Sequence, residues 1–213
     1  HDANATNRTL PVLGANDGLV SNLSLVMGVA GANLSGRTIL ITGLAGLLAG
    51  AFSMALGEWV SVQSSRELYQ HQIRTEEDEI EAMPEEEAEE LALIYQARGM
   101  GEEEARRVAS RILEDPKTAL DVMAREELGI DPESLGGSAW VAGFISFALF
   151  AVGALVPVVP FFFTDGPAAI AASVAASAVG LFGLGAGITL LTARSVLFSG
   201  LRQVAFGLLA AGI

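Results

Sequence analysis

The sequence predicts an all-α protein: a five-helix transmembrane bundle with a cytoplasmic, acidic helical insert between its second and third spans. Three observations predict it. Thr38–Val62, Ser138–Phe163 and Pro167–Ala193 are 25, 26 and 27 residues long and share a single charge, Glu58, whereas about 20 apolar residues of helix suffice to cross a bilayer. Ser64–Leu135 carries 8 Lys/Arg against 21 Asp/Glu, a net of −13 that equals the net charge of the whole 213-residue chain. A soluble acidic block has thus been set inside a lipid-soluble body. Finally, Arg8, the eight basic residues of the insert and Arg194 fall on one side of such a bundle and Arg37 on the other, which places the N-terminus and the insert in the cytoplasm. Residues 1–63 then form spans one and two, 64–135 the insert, and 136–213 spans three to five.

The first span is expected at Pro11–Ala32. It is the least apolar, with Asp17, Ser21 and Ser24 at i, i+4 and i+7 and therefore on one face. Asn33–Arg37 is a short polar turn. In the second span Gly46 and Gly50 have the small-xxx-small spacing that lets helix backbones approach in lipid, and Met54, Glu58 and Ser61 repeat the i, i+4, i+7 pattern. From Ser64 a separate soluble helix is expected to run to Ala82 and stop before Pro84, because a residue preceding proline avoids the helical region. Pro84 suits the first turn of the next helix, ending at Gly99; a third soluble helix starts near Gly101, and Asp115-Pro116 opens a fourth that ends at Gly129. Spans three and four are separated at Pro157–Pro167. Span four offers Gly180, Gly183 and Gly187 as a second close-packing face. Thr192–Ser195 turns into a fifth span, Ser195–Ile213, which carries Arg202.

Composition excludes several classes of function. There is no cysteine, hence no disulfide and no thiolate metal site. There is no basic groove, and the acidic insert would repel phosphate, so nucleic acid is not an expected partner. His1–Thr9 lacks the charged-then-apolar order of a cleaved signal peptide. Asn4, Asn7 and Asn33 each open an N-x-Ser/Thr triplet, too common a pattern to argue for glycosylation.

Two groups of residues carry candidate chemistry. Carboxylates inside a bilayer are costly and generally face a partner or an aqueous path. A tight turn between the first two spans can bring Asp17, Met54 and Glu58 into one cleft. Two carboxylates and a thioether suit a borderline ion such as Fe²⁺ better than Ca²⁺ or Mg²⁺. The plainer alternative leaves Asp17 and Glu58 hydrated at the ends of their helices. In the insert, Glu76 and Glu79 are i, i+3 on one helix, Glu87 and Glu90 are i, i+3 on the next, and Met123 and Glu127 are i, i+4 on the last. Three helix faces can converge on one site whose mutual repulsion a divalent cation relieves. A run such as Glu85-Glu86-Glu87 is also what an ordinary solvated helix face looks like.

Asn16-Asp17-Gly18-Leu19-Val20-Ser21 in the first span, Met54-Ala55-Leu56-Gly57-Glu58-Trp59-Val60-Ser61-Val62 in the second, and the Glu-rich insert ending Met123-Ala124-Arg125-Glu126-Glu127-Leu128-Gly129 together resemble the vacuolar iron transporter family. The resemblance covers nearly the whole chain, and the joint order of the three motifs is specific. It implies five transmembrane helices, a homodimer, and proton-coupled antiport of Fe²⁺ and related divalent ions, Mn²⁺ and Zn²⁺ among them, out of the cytosol. It further implies that the insert is a metal-binding domain. The family's first-span aspartate falls on Asp17 and its second-span methionine on Met54. The metal-binding glutamates fall on Glu76, Glu79, Glu87, Glu90 and Glu127, and the accompanying methionine on Met123. Plant-type members carry acidic residues just before the first span and midway along the second, where this chain has Thr6, Leu10 and Gly46; Glu58 is the candidate substitute.

The expected partners are therefore divalent metal ions, protons, membrane lipid and a second copy of the chain. An enzyme is not expected: a ferritin-like iron oxidase would use Glu-x-x-His pairs, and neither His1 nor His71 stands three residues after a glutamate. A non-transporting membrane scaffold with a solvated acidic domain is the other alternative. The compact chain and short loops suggest a bacterial inner membrane, with an organellar membrane as the runner-up.

Overall fold

The computed structural model describes residues 3–192 and 195–212, with side chains from Leu13 onward except around 188–192. The side chains of Thr6, Arg8 and Leu10 and the turn at Arg194 lie outside the described residues. The described chain is all-helical: α1 (Ala3–Gly31), α2 (Gly36–Ala82), α3 (Pro84–Ala97), α4 (Glu102–Leu113), α5 (Pro116–Glu126), α6 (Ala139–Leu155), a 3-10 turn at Val159–Phe162, α7 (Gly166–Thr192) and α8 (Val196–Ala210). They form two compact units, one made of the residues up to Trp59 and from Trp140 onward, the other of Val60–Ala139.

Two boundaries depart from expectation. Helix α1 begins at Ala3 rather than Pro11, since an interior proline removes one backbone hydrogen bond and bends a helix without having to end it. The second span and the first soluble helix are one 47-residue helix. Change of polarity at Ser64 does not break a helix, and no Gly or Pro stands between Gly57 and Pro84. The break expected at Pro157–Pro167 is present: the third apolar segment stops being α-helical at Leu155, where Pro157 and Pro160 divert the backbone into the 3-10 turn. By length and composition, α2 and the Gly166–Gly187 part of α7 are long and apolar enough to cross a membrane. Helices α6 and α8, at 17 and 15 residues, are shorter apolar helices.

In the first unit, glycines set the packing. A Cβ on Gly18 would strike the carbonyl of Phe150, and one on Gly153 the carbonyl of Ala15, so α1 and α6 cross backbone against backbone. Gly46 faces Leu25 and Asn22 of α1, and Gly50 faces the ring of Phe150. On α7 the close-packing face differs from the expected one. Gly180 packs on Leu19, but a Cβ on Gly183 or Gly187 would meet nothing within 4 Å among the described residues, and it is Gly185 that meets Ser199 and Gly200 of α8. Around these contacts lie two apolar clusters, one with Val26, Ile39, Val158 and Phe161, the other with Leu47, Ala51, Phe150 and Ala154. Ser173 Oγ donates to Pro157 O at 2.7 Å, satisfying a carbonyl freed by the proline break. The outer surface is apolar too: Phe144, Phe163, Val179 and Leu209 are all at least 70% exposed. Buried serines and outward-facing aromatic and aliphatic side chains invert the usual order of a water-soluble domain.

The second unit is a helical cluster with an apolar core and charged outer faces. Ile80, Leu91, Ala92, Ala105, Ala109, Ala119 and Met123 form its core. Helix α3 ends at Gly99 with φ of 99°, and the chain leaves α5 through Gly129 with φ of 67°, left-handed conformations that favour glycine. Arg106 pairs with Glu89 at 3.1 Å and Arg125 with Asp131 at 2.8 Å on its exposed faces; such pairs contribute little each.

Candidate metal centre

In the second unit, Ile80, Leu91 and Met123 meet in the core. Each stands one helical turn from a glutamate: Ile80 from Glu76, Leu91 from Glu87, and Met123 from Glu127. Burying the three apolar side chains therefore gathers the three carboxylates. One oxygen from each of Glu76, Glu87 and Glu127 lies within 4.8 Å of the other two. Glu76 and Glu87 are buried, at 2% and 6% exposure, and Glu127 sits at the rim just past the end of α5, its N–H donating to Met123 O at 2.9 Å. Among the described residues, Glu76 Oε1 has no hydrogen-bond partner, and the ion pairs engage other carboxylates such as Glu89, Glu126 and Asp121.

The electrostatic consequence is large. Burial, followed by the charges of Glu127, Glu87, Glu79 and Glu90, pushes the Glu76 carboxyl from its ordinary 4.5 up to about 7. Glu87 is raised by burial and then by Glu90, Glu127 and Glu79. Glu127 is raised by partial desolvation and then by Glu90 and Glu79. Thus Glu79 and Glu90 act on the other three predicted glutamates, and those three are the ones gathered within ligand distance. Half-buried Glu79 and exposed Glu90 add field from the next turn of their helices. Clustered carboxylates with no basic partner offer hard oxygen ligands to a cation and hold protons in its place. Met123 is fully buried in the core, one helical turn from Glu127.

The first unit holds a separate cleft of about 390 Å³ with Asp17, Ser21, Asn22, Gly46, Ser53 and Met54 in its wall. Antiparallel pairing of α1 with α2 sets its composition. The thioether of Met54 lies against Gly14, with Sδ 3.8 Å from the Cβ position, and Asn22 lies against Gly46; both pairs share one register. Asp17 is exposed to the cleft and Met54 is half-buried. Glu58 does not join them. It is one turn beyond Met54, and the same register puts it level with residue 10, seven residues or about 10 Å of helix rise from Asp17. The shared face of Met54 and Glu58 was legible in the spacing; the offset of the facing helix was not. Sequence reasoning also missed Asn22 and Ser53. Asn22 is off the Asp17/Ser21/Ser24 line, and only its burial, at 3% exposure, distinguishes it from the neighbouring polar residues.

The family model described as the VIT family matches residues 11–213. The chain is 36% identical over 152 residues to vacuolar iron transporter 2 of Oryza sativa subsp. japonica, covering 71% of this chain and 61% of that protein. It is 43% identical over 146 residues to the vacuolar iron transporter of Acanthamoeba castellanii, covering 68% of this chain and 52% of the relative. With vacuolar iron transporter 1 of Arabidopsis thaliana it shares 34% identity over 173 residues, 81% of this chain and 68% of the relative. The matches thus span little more than half the length of the first two relatives. With its first-span Asp17, second-span Met54 and gathered insert glutamates in the order that the motifs predict, this all-helical chain belongs to the VIT family.

Proposed function

We propose that the chain is a divalent metal transporter that moves Fe²⁺, with Mn²⁺ and Zn²⁺ as further cargo, out of the cytosol in exchange for protons. The observation that carries this reading is the meeting of a carboxylate, Asp17, and a thioether, Met54, in one cleft of a helical unit whose outer surface is apolar. A carboxylate in such a unit is a functional residue by default, and a thioether beside it selects a softer ion than Mg²⁺ or Ca²⁺. The names of the relatives, vacuolar iron transporters in rice, Arabidopsis and Acanthamoeba, support iron as cargo.

On this reading α1, the first part of α2, α6 with its 3-10 turn, α7 and α8 are the five spans, and residues 64–135 form a cytoplasmic capture domain. Glu76, Glu79, Glu87, Glu90 and Glu127 collect the ion, with Met123 as a soft ligand from the core. Asp17 and Met54 line the path, at the interface of a homodimer. Protons returning through the path re-protonate carboxylates as metal leaves, and Glu58 substitutes for one of the acidic groups absent at Thr6, Leu10 and Gly46. The relatives are named for the vacuole, which favours an organellar membrane over the bacterial inner membrane suggested by the compact chain. The test is Fe²⁺ flux into liposomes containing the purified chain: Asp17→Ala and Met54→Ala should each abolish it, and unchanged flux in both would remove the proposed path.

A further inference from the structure

We infer that an exposed aromatic basin between α2 and α6 is a binding site for one acyl chain of a phospholipid. This goes beyond the transport reading and rests only on the part of it that puts the first unit in lipid. Phe52, Ala55, Leu56 and Trp59 stand at i, i+3, i+4 and i+7 on α2, and Trp140, Gly143, Phe144 and Phe147 repeat that spacing on α6, so each set occupies one helix face. Trp59 meets Trp140 with ring centroids 5.6 Å apart, and Phe52 meets Phe147 edge to face at 5.0 Å, as antiparallel helices require. Between the two ring pairs each helix carries a small residue. A Cβ on Gly143 would lie 3.0 Å from the carbonyl oxygen of Ala55. The backbones therefore come close enough to form a floor, with Leu56 and Phe144 as exposed rims. The result is a basin of about 410 Å³ whose lining residues are all apolar.

Chemistry and dimensions select the occupant. Apart from the indole N–H groups, no side chain in the wall has a polar atom, so the basin takes hydrocarbon and has little with which to orient a polar ligand. Ring pairs seven residues apart are separated by about 10.5 Å along the helices, whereas a helix of a second copy is about 10–12 Å across with its side chains and does not enter between them. An acyl chain is slim enough. A second copy is also placed elsewhere: at about 100° per residue, Gly50, Ser53 and Met54 of the cleft wall point about 150° away from Phe52, Leu56 and Trp59 around α2. A dimer built across the cleft thus leaves the basin to the membrane. The tryptophan pair marks the headgroup end. Trp140 is the second residue of α6, and Trp59 stands four residues before Gln63, where the apolar part of α2 gives way; tryptophan collects at this level of a membrane. Aromatic walls have few torsions to freeze, so little freedom is lost when the chain binds.

Trp59 and Trp140 are the two tryptophans of the chain, so its indole fluorescence reports on this basin alone. The experiment titrates the whole chain, in detergent micelles, with phosphatidylcholine brominated along one acyl chain, since bromine quenches an indole that it touches. Emission should fall by more than half and saturate at about one lipid per chain. Unbrominated phosphatidylcholine should restore it, and glycerophosphocholine, which lacks the chains, should not. Leu56→Ala and Phe144→Ala each remove an exposed rim and should raise the half-saturating lipid fraction about tenfold, whereas Phe163→Ala and Leu209→Ala, similarly exposed but outside the basin, should leave it at the parental value. Saturable quenching that neither rim variant weakens overturns the inference. Quenching that grows in proportion to lipid without saturating means annular lipid only, and overturns it while leaving the unit in the membrane. Absence of quenching, with emission that shifts with protein concentration, assigns the basin to a second copy and overturns it as well. Absence of quenching with emission independent of protein concentration removes the membrane placement of these helices and the lipid site with it.

Discussion

Lowering the pH from 8 to 6 should weaken divalent-ion binding at the glutamate cluster about tenfold. The cause is Glu76, whose carboxyl titrates near 7. An ion binding there must displace its proton, so affinity falls by a factor of 1 + 10^(pKa − pH), about 1.1 at pH 8, about 2 at pH 7 and about 11 at pH 6. The tenfold loss corresponds to about 1.4 kcal/mol. Glu87 and Glu127 are raised in the same direction and can only steepen the dependence. Binding should also release about half a proton from Glu76 at pH 7 and about nine-tenths of one at pH 6. Titration calorimetry of the whole chain in detergent measures both quantities, with Mn²⁺ as an air-stable stand-in and paired buffers of different ionisation heat. A dissociation constant equal at pH 6 and pH 8, with no proton released, would refute the electrostatic account of the cluster.

The metal-free protein should respond with the opposite sign. Glu76 has a folded pKa above its ordinary value, so it stabilises the second unit fully below about pH 4.5 and loses that contribution as pH rises through about 7; hydrogen exchange in α3 should show protection falling between pH 6 and 8, and Mn²⁺ restoring it. Gly18→Ala should destabilise the first unit by about 1–3 kcal/mol or more, because the new methyl meets the Phe150 carbonyl, whereas Gly28→Ala, with open space around it, should not lower the melting temperature. Met123→Leu conserves volume in a fully buried site and should cost under about 1.5 kcal/mol, while reducing the preference for Fe²⁺ over Mg²⁺ in competition titrations. Glu58→Gln, remote from the cleft of Asp17 and Met54, should leave KM for Fe²⁺ within about twofold of the parent and alter the dependence of flux on a pH gradient.

Much of the arrangement was legible before any coordinates. Paired glutamates at i, i+3 and the Met123/Glu127 pair at i, i+4 mark helix faces, and the three glutamates that come together are drawn from those pairs. What spacing could not say is which member of each pair turns inward. Ile80 and Leu91 decide that, by entering the core and carrying Glu76 and Glu87 into burial while Glu90 stays in solvent. At Ser64 polarity changes while the backbone has no cause to stop, so α2 continues; at Pro157 the chain stays apolar while the prolines end the helix, a break that the sequence does show.

By itself the sequence determined that the chain is helical, that its charge is confined to one block, and which residue types could meet a metal ion, since composition and periodicity are local properties. Only the tertiary structure decided the offset between α1 and α2. That offset keeps Glu58 away from Asp17, brings Met54 beside Gly14, and leaves the oxygen of Asn22 facing Gly46 without a donor. The physical reason is that register between two helices is set by close approach at glycines such as Gly14 and Gly46, a property of the pair that neither helix carries alone.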